Sequence, residues 1–214
     1  MRPRLVVSLA ADPIERVVAD VAFVAFFGDD RPLCGSAGRV DWRLCGRLSQ
    51  LLRTDRLSGE PGEAALIPSL GGLRAPIVVT TGLGARSAFD GARCRAAAQD
   101  AVERGLALRA ESVALALLEA GANTVDLGAR MEAVFRGVRG AASADDEDAS
   151  TGLALQLVAT PEERPAALAW MQAARQRGLP DDLEFAIPQR SERAPNRSPR
   201  GARRVTVPGR PLVK

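Results

Sequence analysis

The chain contains no histidine and no tyrosine, and its one lysine, Lys214, is the last of 214 residues. Without His it cannot supply a Ser-His-Asp triad, a Cys-His pair or an imidazole ligand for zinc. Of its 29 basic residues, 28 are therefore arginine. Aromatic residues make up only 4% of the chain, and two of them are tryptophan, Trp42 and Trp170. The three cysteines, Cys34, Cys45 and Cys94, form an odd set with no CxxC. That argues against a disulfide framework and fits no zinc-ligand spacing, so buried, inert thiols in a reducing compartment are expected. No uninterrupted apolar stretch approaches the roughly 18–20 residues that span a bilayer. The opening MRPRLVVSLAAD has an apolar run of only about seven residues, at the short limit for a signal peptide. A soluble, cytoplasmic protein is expected.

What is present is an uneven charge. The formal net charge is +3, but residues 189–214 hold seven Arg and Lys214 against one acid, Glu192, a balance of +7. Residues 1–188 then carry 21 basic and 25 acidic groups, a balance of −4. The last stretch, QRSERAPNRSPRGARRVTVPGRPLVK, is built from Pro, Ser and Arg with few apolar residues. Such a segment buries too little surface to offset its ordering entropy, so a disordered basic tail over 181–214 is expected behind a domain at 1–180.

The body alternates buried-type strands with helices. Leu5–Leu9 and the doubly apolar VAFVAFF at Val21–Phe27 read as strands covered on both faces. A helical turn at Pro13–Val18 separates them. Val40, Leu44, Leu48, Leu51 and Leu52 recur at spacings of three and four, which predicts one amphipathic helix over Val40–Arg56, with Asp41 capping its start. A brief apolar run, Ala64–Ile67, precedes the strand Pro76–Thr81. A long helix capped by Ser87 is expected over Ala88–Leu108, a strand over Ser112–Leu118 and a helix over Thr124–Arg139. The acidic run Asp145, Asp146, Glu147, Asp148 lies in the small-residue loop 141–150. A strand over Gly152–Ala159 and a helix over Pro161–Arg177 complete the domain. This pattern implies a three-layer α/β/α domain around a mixed, mostly parallel sheet.

The segments VAFVAFF, DWRLCGRLSQLL, SGEPGEAALIPS and IVVTTGLG, in that order between residues 21 and 84, resemble the N-terminal domain of the leucyl aminopeptidase (cytosol aminopeptidase) family. The resemblance extends over roughly residues 5–178 and implies a macro-domain-like architecture. It also implies that the peptidase chemistry belongs elsewhere. In that family the two metal ions sit in a separate C-terminal domain, held by a Lys, several Asp and a Glu around a motif of the NTDAEGRL type. Those ligands have no counterpart here, since Lys214 is the sole lysine and the acidic run at 145–148 is contiguous in sequence. The resemblance therefore implies a non-catalytic relative, with no metal and no cofactor.

Two regions are candidates for binding. Gly82, Gly84 and Arg86 lie between a buried strand and a helix, where backbone N–H groups of open α/β sheets can face an anionic ligand. Asp29 and Asp30, after the second strand, can line the same crevice, and nucleotide or ADP-ribose recognition is the ligand reading for it. A tight structural turn is the plainer reading of a partial glycine motif. In the tail, Arg190, Arg193, Arg197, Arg200, Arg203, Arg204 and Arg210 are spaced so that each guanidinium can meet a phosphate or a carboxylate separately. The tail has no aromatic residue for base stacking. The expected function is a protein-binding or assembly module, as a homo-oligomer or docked on a protein partner through the helices carrying Trp42 and Trp170. Nucleic-acid association through the tail is the alternative.

Overall fold

The computed structural model describes residues 5–120, 124–142, 152–178 and 183–186. Seven strands form one sheet: β1 Leu5–Leu9, β2 Val21–Phe26, β3 Ala64–Pro68, β4 Ile77–Gly82, β5 Ser112–Leu115, β6 Leu153–Leu157 and β7 Leu183–Ala186. Their order across the sheet is β3-β4-β2-β5-β6-β1-β7. Every neighbouring pair runs parallel except β3–β4, which is antiparallel. The helices are α1 Gly35–Arg43, α2 Arg47–Arg53, α3 Gly91–Ala107, α4 Leu117–Ala120, α5 Leu127–Ala142 and α6 Arg164–Gln176.

β2 explains the layering. Its side chains alternate across the sheet with period two. Val21, Phe23 and Ala25 enter one core with Ala98 and Val102 of α3, Met131 and Val134 of α5, and Met171 of α6. Ala22, Val24 and Phe26 enter a second core with Val40 of α1 and Leu48 and Leu52 of α2. A continuous apolar run is therefore required, because every residue of β2 is buried. The result is the expected three-layer α/β/α domain with a mixed, mostly parallel sheet.

Several elements differ from the sequence expectations, each for a local reason. The single helix expected over Val40–Arg56 is two helices, because Cys45 (φ 54°) and Gly46 (φ 79°) take left-handed conformations that break the i to i−4 ladder. Asp41 does not cap α1. It lies inside that helix, and its carboxylate accepts the Ser49 N–H at 3.1 Å in the first turn of α2, together with the Ser49 hydroxyl. The cap of α3 is Asp90, which accepts the Arg93 N–H at 2.9 Å, rather than Ser87. The strand expected over Ser112–Leu118 stops at Leu115, and the apolar run continues as the one-turn α4. Beyond the expected end of the domain, β7 pairs with β1 at the sheet edge. Phe185 of β7 packs against Phe135 of α5 at a ring distance of 4.8 Å, and Trp170 stacks on the same Phe135 at 5.0 Å. The acidic run 145–148 and the basic tail 189–214 lie outside the described residues.

The cysteines also depart from expectation. Cys34 and Cys45 are exposed, and only Cys94 is buried. Both exposed thiols sit in loop or corner positions flanking α1, whereas Cys94 faces α5 from α3. Burial pushes the Cys94 thiol up to about 12, opposed in part by the charge of Arg130. Because the thiolate is the reactive species, alkylation of the native chain is expected to modify Cys34 and Cys45 and to spare Cys94 until the protein unfolds. Mass spectrometry of the alkylated peptides reads this directly; equal rates at all three would contradict the packing of α3 on α5.

Candidate functional site

Open α/β sheets bind ligands beyond the carboxyl ends of their strands, where neighbouring strands send their connections to opposite faces. Here that point lies between β2 and β5. β2 leads to α1 on one face, and β5 leads through α4 to α5 on the other. A crevice of about 240 Å³ opens there, lined among others by Phe27, Asp30, Cys34, Arg39, Arg86 and Glu119.

One wall is built from the residues singled out in the sequence. The Arg86 guanidinium forks onto the Asp30 carboxylate, with Nε to Oδ1 at 3.2 Å and Nη2 to Oδ2 at 2.6 Å. It lies over the Phe27 ring at 4.1 Å, and Phe27 in turn meets Phe89 edge to face at 5.2 Å. The Asp29 carboxylate accepts the Arg86 N–H at 3.0 and 3.2 Å. The structure thus brings Asp29, Asp30 and Arg86 together with the glycine turn.

The backbone donors of that turn are already engaged. The N–H of Gly82 bonds to the Glu63 carbonyl at 2.8 Å, that of Leu83 to Phe26 at 2.9 Å and that of Gly84 to Gly59 at 2.8 Å. Both glycines have a packing reason to be glycine. A Cβ on Gly82 would lie 2.3 Å from the Glu60 carbonyl oxygen, and Gly84, at φ +75°, would meet Pro61 at 2.9 Å. The loop 58–63 that crosses this turn is pinned by Glu63, whose carboxylate accepts the Ser58 and Gly59 N–H groups at 2.8 Å each and the Ser58 hydroxyl at 2.6 Å.

That pin titrates. Burial pushes the Glu63 carboxyl up, but the Ser58 hydroxyl and the backbone donors outweigh it and hold it below the ordinary 4.5. A carboxyl lowered on folding contributes stability that is complete above its unfolded value and is lost as the pH falls through its folded value. Asp20 acts with the same sign. The Ser112 hydroxyl is the main cause, and the Ser112 and Glu111 N–H groups add to it, lowering Asp20 from the ordinary 3.8. Melting temperatures of the wild type and Glu63→Gln are therefore expected to differ near neutrality and to converge as the pH falls from the ordinary 4.5 through the lowered folded value. A difference that does not shrink as the medium is acidified below 4.5 would contradict the assignment.

The opposite wall escaped the sequence reading. Arg39 of α1 donates through Nη2 to Glu119 at 2.7 Å and through Nε to Glu15 at 3.3 Å. The Ser36 hydroxyl also donates to Glu119. Burial opposes the charge on Arg39, and the Glu119 and Glu15 carboxylates more than restore it, raising its pKa above the ordinary value. These partners are 24 to 83 residues apart in sequence, so no local motif signals them; a lone acid just after an apolar strand, as at Glu119, was the one available hint. Each cation facing the crevice is thus paired with a carboxylate. Among the described residues, no group of three His, Cys, Asp or Glu side chains is placed to hold a metal ion, and no helix is long and apolar enough to cross a membrane. The seven tail arginines lie outside the described residues.

Comparison with known proteins agrees with this architecture. The family model described as "Cytosol aminopeptidase family, N-terminal domain" matches residues 23–148. A probable cytosol aminopeptidase of Streptomyces coelicolor is 36% identical over 120 residues, covering 54% of this chain and 23% of that protein. The bottromycin maturation enzyme BotP is 28% identical with a TM-score of 0.50, over 73% of this chain and 30% of its own. The fold alone is shared with a macrodomain of Oceanobacillus iheyensis, at 13% identity and a TM-score of 0.61, over 80% of this chain and 92% of that one. The chain spans about a fifth of the length of the curated relatives it matches, 17% and 23%. Its matched region is the relatives' N-terminal domain, and on that footing the chain belongs to the cytosol aminopeptidase family.

Proposed function

We propose that the chain is a binding and assembly module rather than a peptidase. One observation carries this reading: of the exposed large apolar side chains, which also include Val18 and Leu108 elsewhere, three stand on one region of the surface. Trp42 is 74% exposed, Leu66 55% and Leu70 92%. Isolated exposed apolar residues are ordinary, but a contiguous group of them marks an interaction site. Trp42 lines one shallow depression and Leu66 and Leu70 a second, and the two share Arg43 and Cys45. Trp170, the other expected contact residue, is instead half-buried against Phe135.

The test is the assembly state of the full chain by light scattering across a concentration series, combined with affinity capture. Wild type is expected to form a complex, with itself or a partner, that Leu70→Glu weakens. A monomer at every concentration that also captures nothing would remove the reading. A chromogenic leucine substrate with manganese or zinc checks the peptidase side, with no turnover expected.

The crevice favours a second reading, nucleotide or ADP-ribose recognition. A ligand there has to compete with Asp30 for Arg86 and with Asp29 for the Arg86 N–H, which weighs against tight binding. Absence of a thermal shift with millimolar ADP-ribose would remove it. Polyanion binding by the tail rests on its charge of +7. It predicts DNA binding that falls steeply with salt and disappears on truncation after Pro188.

A further inference from the structure

The larger of the two depressions has about 770 Å³ of space between the α1–α2 corner and the edge strand β3 with the loop that follows it. Leu44, Leu51, Leu66 and Leu70 give it an apolar lining, and Arg43 and Arg47 stand at its margin. No carboxylate lines it. Among the described residues neither arginine is paired with an acid. Arg43 lies over the Trp42 ring at 5.5 Å, and Arg47 donates to the Gln50 side chain at 3.1 Å. The acid nearest in sequence, Asp41, is held by the Ser49 N–H and hydroxyl. Elsewhere on the same domain, Arg39, Arg86, Arg104, Arg130 and Arg136 have carboxylate partners, and Arg31, Arg93 and Arg164 donate to backbone carbonyls. The groove thus combines exposed leucines with two unmatched cations.

We propose that this groove binds an acidic peptide segment of a partner protein, one that alternates Asp or Glu with leucine-type side chains. The proposal rests on the binding-module reading and names the partner's chemistry. Leucine-type side chains would fill the apolar floor, while carboxylates would meet Arg43 and Arg47, giving orientation and a salt-sensitive association rate. Other occupants fit less well. The chain's own tail carries seven Arg and is repelled by the same two cations. The acidic run 145–148, in the stretch AASADDEDAS, has no large apolar residue to offer. A nucleic acid would satisfy the arginines and leave the leucines in water.

The test pans a displayed library of random peptides against the full chain and, in parallel, against the full-length Arg43→Glu/Arg47→Glu/Leu70→Glu variant. All three positions are exposed, so the variant is expected to fold, which its circular dichroism and melting curve check. The tail is present in both arms, so acidic peptides held by the tail alone are enriched equally and cancel. The expected result is enrichment on the wild type of sequences rich in both acids and leucine-type residues, with at least roughly tenfold weaker binding to the variant and weaker wild-type binding at high salt. Enriched peptides that are basic or uncharged, or that bind both proteins equally, would overturn the proposal. A concentration-dependent dimer abolished by Leu70→Glu, with nothing enriched, would assign the groove to a second copy; the partner class then falls while the assembly reading stands. A strict monomer with nothing enriched removes both.

Discussion

Glu163→Ala is expected to destabilise the domain by about 3–5 kcal/mol, the cost of leaving a buried charge without its partner. The charge belongs to Arg130 of α5, which is 1% exposed. Its guanidinium meets the Glu163 carboxylate through Nη2 and through Nη1 at 3.2 Å; its Nε donates to the Val125 carbonyl at 2.8 Å and Nη1 also donates to the Leu118 carbonyl. This one side chain ties α4, the start of α5 and the residue before α6 into a single joint. Arginine cannot shed its proton to escape the penalty, so removing the carboxylate leaves a cation facing only carbonyl dipoles. Arg130→Met is expected to cost less, because it removes the charge with its desolvation and fills much of the volume. Adding Glu163→Gln to Arg130→Met is expected to add little, since the carboxylate has already lost its partner. Urea denaturation of the three variants measures the order. With total stabilities of about 5–15 kcal/mol usual for such domains, Glu163→Ala has to show a visibly lower midpoint. A loss within about 1 kcal/mol would mean that water reaches Arg130 and would contradict its burial.

Gly137→Ala is expected to lower stability by about 1–3 kcal/mol, even though alanine is the better helix former by about 1 kcal/mol. Gly137 of α5 sits where that helix crosses α3. A Cβ there would lie 2.3 Å from the Arg95 carbonyl oxygen and 2.9 Å from both the Ala98 Cβ and the Gln99 nitrogen. Two of those atoms are backbone of a 17-residue helix, so relief requires the helices to part rather than one side chain to turn. Gly91 is the internal control. It opens α3, and a Cβ there meets nothing within 4 Å, so Gly91→Ala is expected to be neutral or stabilising by about 0.4–1 kcal/mol through the unfolded chain. Equal effects at the two sites would contradict the close α3–α5 approach.

How much of this was legible in the sequence depended on whether the deciding interaction was local. β2 announced itself, because a strand buried on both faces must be apolar throughout. β1, β4 and β6 were placed within a residue or two for similar reasons. The α1–α2 break was hidden, because its left-handed Cys45 is not a residue type that signals such a turn, while the leucine spacing runs through it unbroken. β7 is four residues at an edge, defined by pairing with a strand nearly 180 residues earlier. In the crevice, Asp29, Asp30 and Arg86 were accessible because each follows directly on a strand. Arg39, Glu119 and the Arg130–Glu163 pair were not, since their meaning arises only when distant elements meet. Trp42 was rightly placed on a helix near Asp41, but its 74% exposure depends on which face of a short helix the α1–α2 corner turns outward.

The most direct test of the account is the rate at which iodoacetamide modifies Cys45 relative to Cys34, in the purified dilute chain and in extract of cells expressing it. Both thiols are exposed, but Cys45 borders the two depressions of the proposed binding face, whereas Cys34 lines the crevice. If the face is engaged by a partner or by a second copy, Cys45 becomes selectively protected in extract, and Leu70→Glu restores its reactivity. Identical Cys45-to-Cys34 rate ratios in both conditions, unchanged by Leu70→Glu, would contradict the claim that this surface is where the protein acts.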